Sequence, residues 1–300
     1  MEKQRTIKRS VSFSGKGIHT GIFSNITLKP ATENKGIVFV RTDKDNFEIP
    51  SDVTYIVSTE RSTNLGIKGV EVKTIEHLLA AITANNIDNL IIEIDNVEVP
   101  ILDGSAKEFS DKISEVGTVE QKSFQKIYKV KREIRYLDEE SGTEIIAIPS
   151  DSFSIETTID YNSETLGIQK AELNNLDEFN IEIAPSRTFC FLEELEQLLD
   201  NNLIKGGDIN NAIVIVENEL DTTKLSNLAT LFGKENINVS SDGILSNLKL
   251  RYKNETARHK LLDVIGDLSL CGYKIKGKII TTKPGHLHNT NFAKKIKNNN

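Results

Sequence analysis

The 300-residue sequence has no tryptophan, one methionine, two cysteines and five histidines. Two cysteines, Cys190 and Cys271, cannot build a disulfide framework, which fits a reducing cytoplasm, and each is expected as a small core residue. No run of about 18 apolar residues occurs, so no membrane-spanning helix is expected. Met1-Glu2-Lys3-Gln4-Arg5-Thr6 is followed by no apolar segment of the kind a secretory leader needs. The net charge of −7 carries no basic excess, so nucleic acid is not an expected partner. What is present is 38% apolar residues, mostly aliphatic, enough for cores in two domains rather than one.

The stretch Arg258-His259-Lys260-Leu261-Leu262-Asp263-Val264-Ile265-Gly266-Asp267-Leu268 organises the reading. On a helix, His259, Asp263 and Asp267 share one stripe, while Leu261, Leu262, Ile265 and Leu268 cover the other side. An imidazole and a carboxylate one turn apart can grip one cation. The same spacing also describes an ordinary polar helix face.

Upstream, Val11–Ser14, Asn25–Pro30 and Ile37–Val40 alternate as strands. His19 lies in a glycine-rich turn, where it either points at water or meets a ligand. Glu60–Gly66 reads as a polar loop. Lys73–Ile82 reads as an amphipathic helix with Thr74 as its N-cap, putting Glu76 and His77 in the first turn. Neighbouring helical residues point about 100° apart, so one side chain can hold a metal while the next reaches water beside it. An acid favoured by the helix dipole next to an incidental histidine is the plainer alternative. Leu90–Asp95 is a strand, and a second helix ends near Val116. Gln121-Lys122-Ser123 reads as a linker, and new strands follow from Ile127. Between Phe189 and residue 217 a β-α-β excursion carries Leu192, Leu195, Leu198 and Leu199 on one helix face, suiting either packing or a channel for an acyl chain. Leu78–Ile82 and Leu261–Ile265 echo each other, each with a strand about ten residues on, which would place Glu76 and His77 opposite His259 and Lys260 if the halves are duplicates.

Six blocks occur in order: Ser14–Gly21, Thr74–Ala81, Val99–Ala106, Ser186–Phe189, Arg258–Leu268 and Pro284–His286. Through them the chain resembles the UDP-3-O-acyl-N-acetylglucosamine deacetylase family of lipid A biosynthesis, from nearly its first residue to about Ala293. The resemblance implies an α+β fold of two similar domains, each a sheet with two helices, the helices packed between the sheets. The expected domains are 1–121, carrying Glu76 and His77, and 122–300, carrying His259, Asp263 and His286, with an acyl-chain insert at about 189–217.

The resemblance places zinc ligands on His77, His259 and Asp263, a donor set that leaves the fourth position of a tetrahedral zinc open. It places the general base on Glu76, the catalytic histidine on His286, that histidine's partner on Asp267 and an oxyanion-holding hydroxyl on Thr188. Lys260 matches a residue at the sugar–diphosphate end, and Phe189, His19 and Lys283 are expected beside the nucleotide or sugar. Leu195 and Leu198 are expected along the acyl chain. One Zn²⁺ per chain is expected, with Fe²⁺ as the alternative in the cell. The expected substrate is an acylated UDP-amino sugar, with transient membrane-surface contact through the acyl chain, and the expected state is a monomer without a fused dehydratase domain. Two positions depart from the family pattern: Ser163-Glu164 where His-Pro is common, and Pro284 where serine is common. The alternatives are an amidohydrolase for another acylated amino sugar and a catalytically silent nucleotide-sugar binder.

Overall fold

The computed structural model describes residues 2–195, 205–245 and 248–299. Its first half holds a five-stranded sheet in the spatial order Val11–Lys16, Phe23–Pro30, Leu90–Ile94, Ile37–Arg41, Phe47–Pro50. The second half repeats it with Ile134–Asp138, Thr143–Ile148, Lys274–Thr282, Phe153–Ile159 and Gln169–Leu173, plus Ile127–Lys129 alongside Lys274–Thr282. In both sheets the first two pairings are antiparallel, the third is parallel and the fourth antiparallel. In both, the central strand comes last in the chain. The short echo between the two leucine-rich stretches is thus the trace of a duplicated topology.

Each central strand is flanked by two helices. In the first half these are α1 (Glu76–Ala84) and α2 (Lys107–Val116). In the second, a short α3 (Phe179–Glu182) and α4 (Thr222–Leu231) precede α5 (Glu255–Ser269) and α6 (His286–Asn298), and α5 and α6 are the pair that brackets the strand. α1 is buried from Glu76 to Ile82 and α5 along most of its length, as befits helices enclosed between two layers. Leu78, Leu79, Leu261, Leu262 and Ile265 are almost fully buried, each worth roughly 1.5–3 kcal/mol.

Gly266 lets the two helices touch. A Cβ there would lie 2.2 Å from the carbonyl oxygen of Glu76, which the backbone cannot yield without moving α1. Gly266→Val is therefore expected to destabilise the protein by about 1–3 kcal/mol or more and to weaken metal binding, because it separates His77 from His259. Thermal unfolding together with a metal titration checks this; an unchanged melting temperature would mean the close approach is not limiting.

Three local expectations are corrected. The polar loop expected at Glu60–Gly66 is confined to residues 60–63, of which Glu60 and Arg61 are exposed: Asn64–Ile67 is the middle strand of a small sheet with Ile56–Ser58 and Val70–Val72, and Ser62, Thr63 and Asn64 are buried. Thr74 does not cap α1. Ile75 occupies the cap position, and Thr74 takes a positive φ of 57° with its hydroxyl donating to Glu98 Oε1 at 2.9 Å. Such a backbone costs a β-branched residue about 1–3 kcal/mol, a strain the surrounding contacts hold in place next to Glu76. Residues 121–123 are not a free linker, since Thr118–Phe124 pairs antiparallel with Lys3–Ile7.

In the excursion, Phe189–Phe191 and Ile213–Ile215 form a parallel pair, and residues 192–195 begin a helix between them. Leu192, Leu195, Val214 and Val216 share an apolar cluster with Leu228 of α4 and Leu245, separate from the main core. This module therefore extends well past residue 217. Leu198 and Leu199 lie outside the described residues. Among the described residues no helix is long and apolar enough to cross a membrane. Cys190 and Cys271 are both free, the first half-buried and the second buried.

Candidate metal and catalytic site

α1 presents His77 and α5 presents His259 and Asp263 to one point. The ligating atoms of the three lie within 4.8 Å of one another, and all three residues are buried. His77 Nε2 and His259 Nε2 stand 3.7 and 3.5 Å from Asp263 Oδ1, too far for hydrogen bonds. Ligands about 2.1 Å from a tetrahedral zinc would be about 3.4 Å apart. Asp263 Oδ1 has no hydrogen-bond partner although it is buried, a costly arrangement unless a cation fills the gap. His259 Nδ1 sits 3.1 Å from the carbonyl oxygen of Ser186; donating there frees its Nε2 lone pair for a metal. The two imidazole rings meet edge to face at 4.9 Å.

The electrostatics suit the same occupant. Burial pulls His77 down to about 3 and lowers His259, so both imidazoles are neutral at pH 7. Burial opposes the Asp263 carboxylate, but the groups around it, His259 and Lys260 foremost, hold its pKa below the usual range. Lys260 Nζ donates to Asp263 Oδ2 at 3.0 Å and stands 5.7 Å from the centre of the Phe189 ring.

Beside this triad lie Glu76 and His286. Glu76 is buried, which pushes its pKa up to about 8, and its Oε2 accepts the Thr63 N–H at 3.0 Å. His286 opens α6, and its Nδ1 lies 2.9 Å from Asp267 Oδ2. Although burial opposes it, that carboxylate raises His286 to about 9, and Nε2 is left free to face the triad, 4.0 Å from Asp263 Oδ2. Asp267 is completely buried and also accepts from Asn289 Nδ2 at 2.9 Å and Thr63 Oγ1 at 2.5 Å.

These groups line a cavity of about 330 Å³. His19, Thr188, Phe189 and Lys260 form part of its wall, and Leu195, Ile209 and Val214 give it an apolar arm into the excursion. Every sequence-predicted site residue among the described ones lines it except Asp267, which lies behind His286, and Lys283, which pairs with Asp160 at 3.1 Å. Of the departures from the family pattern, Ser163 hydrogen-bonds Glu217 and accepts the Leu166 N–H at 2.8 Å, tying its loop to the excursion.

Several contributing residues were not singled out from sequence. Glu98 accepts the N–H groups of His19 and Thr20 at 3.0 and 2.8 Å and the Thr74 hydroxyl, fastening the His19 turn to the base of α1. A Cβ on Gly17 would lie 2.2 Å from that carboxylate, so the glycine makes room for it. Arg187 and Glu255 form a buried pair at 2.8 Å that holds the Ser186–Thr188 segment against the start of α5. Thr63 and Tyr161 complete the set, Tyr161 packing against Phe189 and Phe191.

Comparison with known proteins agrees with the geometry. The profile of the family described as UDP-3-O-acyl N-acetylglycosamine deacetylase matches residues 4–228 and 229–298. The chain is 42% identical over 298 residues to a protein of Chlorobaculum tepidum named bifunctional enzyme LpxC/FabZ, covering 98% of this chain but 64% of that relative's length. It is 38% identical over 297 residues to the UDP-3-O-acyl-N-acetylglucosamine deacetylase of Thermodesulfovibrio yellowstonii, covering 99% of this chain and 92% of the relative. For the protein of the same name from Chlamydia pneumoniae the identity is 39%, covering 98% and 96%. With a family match over nearly the whole chain and the histidines and acids of its blocks drawn to one buried point, the chain belongs to the UDP-3-O-acyl-N-acetylglucosamine deacetylase family.

Proposed function

We propose that the chain hydrolyses the acetamide of UDP-3-O-(3-hydroxyacyl)-N-acetylglucosamine, releasing acetate and the free amine. The observation that carries this reading is the convergence of three metal-ligating groups, one of them with an orphaned buried oxygen, on a cavity also lined by Glu76 and His286. His77, His259 and Asp263 hold the cation, and their two imidazoles and one carboxylate suit zinc, with Fe²⁺ the alternative. Bound there, the cation supplies Lewis acidity to the carbonyl and raises the acidity of water.

The chain's own residues do the rest. Glu76, ionised where the charge of the bound cation would offset its burial, takes the proton from the attacking water as the new C–O bond forms. His286, aimed by Asp267, stabilises the oxyanion and passes a proton to the nitrogen as the C–N bond breaks. The Thr188 hydroxyl assists at the oxyanion. Lys260 and His19 meet the sugar and diphosphate, Lys260 as a compact charge suited to phosphate oxygens. The apolar arm at Leu195 takes the acyl chain, where each buried methylene is worth about 0.8 kcal/mol.

Acetate release from the acylated UDP-sugar tests the reading. Turnover is expected from the metal-loaded protein, to vanish on chelation and to return when zinc is restored. An analogue with a short acyl chain should be the poorer substrate. Binding of the nucleotide sugar that ignores chelator and yields no acetate would instead support a silent binding protein.

A further inference from the structure

Thr63 is the one residue hydrogen-bonded to both Glu76 and Asp267 among the described residues. Its N–H donates to Glu76 Oε2 at 3.0 Å, its hydroxyl to Asp267 Oδ1 at 2.5 Å, and its carbonyl accepts the Ile75 N–H at 3.3 Å. It is completely buried. It lies directly before the middle strand of the small sheet of the first half, while Asp267 and His286 belong to the second half. On one side of it Ser62 and on the other Asn64 are also buried; Asn64 Oδ1 accepts both the Ser62 hydroxyl and the Thr74 N–H at 3.1 Å, so the segment is clamped.

From this geometry we infer that Thr63 is a positioning residue that fixes Glu76 and the Asp267–His286 pair relative to each other across the two halves. The inference rests on the deacetylase reading for its consequence in turnover. Asp267 Oδ2 already receives Asn289 Nδ2 and faces His286 Nδ1, so Thr63 supplies the donor for the other oxygen. A hydroxyl facing a carboxylate must donate, and at this distance the bond is charge-assisted. It stops the carboxylate from turning about its own axis. His286, held through that carboxylate, is thereby held as well. Through its amide the same residue sets the Glu76 carboxylate. The base and the acid, which act on opposite ends of one reaction, then keep a constant spacing.

T63V removes the hydroxyl, keeps the branched shape and leaves the N–H bond to Glu76. T63S keeps the hydroxyl. With Zn²⁺-loaded protein, T63V is expected to lose about 10- to 100-fold in kcat with KM, metal content and melting temperature near those of the unmodified chain, and T63S to restore kcat to within about threefold. A kcat unchanged in T63V, a T63S variant as impaired as T63V, or a loss that tracks metal content would each overturn the inference. A second measurement does not depend on turnover. The hydrogen-bonded Nδ1 proton of His286, observed by NMR in the zinc-loaded protein, should survive in T63S and shift or broaden away in T63V. An unaltered resonance in T63V overturns the positioning role, and the shift supports it even if the unmodified chain releases no acetate, an outcome that would count against the deacetylase reading alone.

Discussion

Glu76→Gln is expected to lower kcat by about 100- to 10,000-fold, the range general-base catalysis contributes, while leaving one metal ion bound per chain. The substitution keeps length and planarity, and the amide oxygen can still accept the Thr63 N–H that Glu76 Oε2 accepts at 3.0 Å. What it removes is the ability to take a proton. His77, the neighbouring proposed ligand, lies about 100° around α1 from Glu76 and keeps its place. KM should change little, because the role proposed for Glu76 is with the reacting water rather than the sugar or acyl chain. Steady-state kinetics beside metal analysis decides the matter. A variant that turns over normally, or one that loses the metal, would move the base to another residue.

The part of this site that could be read from sequence is the part written on single helices. His259, Asp263 and Asp267 recur every four residues on α5, and the leucines between them mark the other side, so helical periodicity alone puts these three side chains on one stripe, while their roles came from the resemblance. Their convergence with His77 was legible through the six-block resemblance and, more faintly, through the echo of Leu78–Ile82 in Leu261–Ile265, but the contact at Gly266 through which α1 and α5 meet is encoded by no local pattern. Thr63 was missed for the same reason. Its partner Asp267 lies 204 positions away, and a Ser-Thr-Asn run between strands reads as solvated when its acceptors cannot be seen. The strand at Thr118–Phe124 was hidden because its half-buried residues Gln121 and Ser123 are polar, its apolar Val119 and Phe124 are exposed, and its partner is the amino-terminal strand. Thr74 was mistaken for a cap because its hydroxyl turns instead to Glu98, 24 positions on. Lys283 shows a position whose geometry the resemblance did not carry: it pairs with Asp160 and does not line the cavity.

His259→Ala is expected to abolish tight zinc binding, lowering affinity by at least about 100-fold, since even a residue that only orients a ligand is worth about 10- to 100-fold. The imidazole is nearly completely buried, with Nδ1 against the Ser186 carbonyl and Nε2 turned to Asp263, and alanine offers no donor in its place. Two of the three proposed ligands, His77 and Asp263, remain, one from each half. The metal should also bridge those halves, because His77 comes from the first and Asp263 from the second. Zinc at about 100 times its dissociation constant would stabilise a single-site protein by about 2.7 kcal/mol. The unmodified chain should therefore melt at a higher temperature in zinc than in chelator, and His259→Ala should melt at one temperature in both. If the variant still carries one zinc per chain after dialysis and keeps the zinc-dependent rise in melting temperature, His259 is not a ligand. The pair of imidazoles facing Asp263 would then need another explanation for its orphaned oxygen.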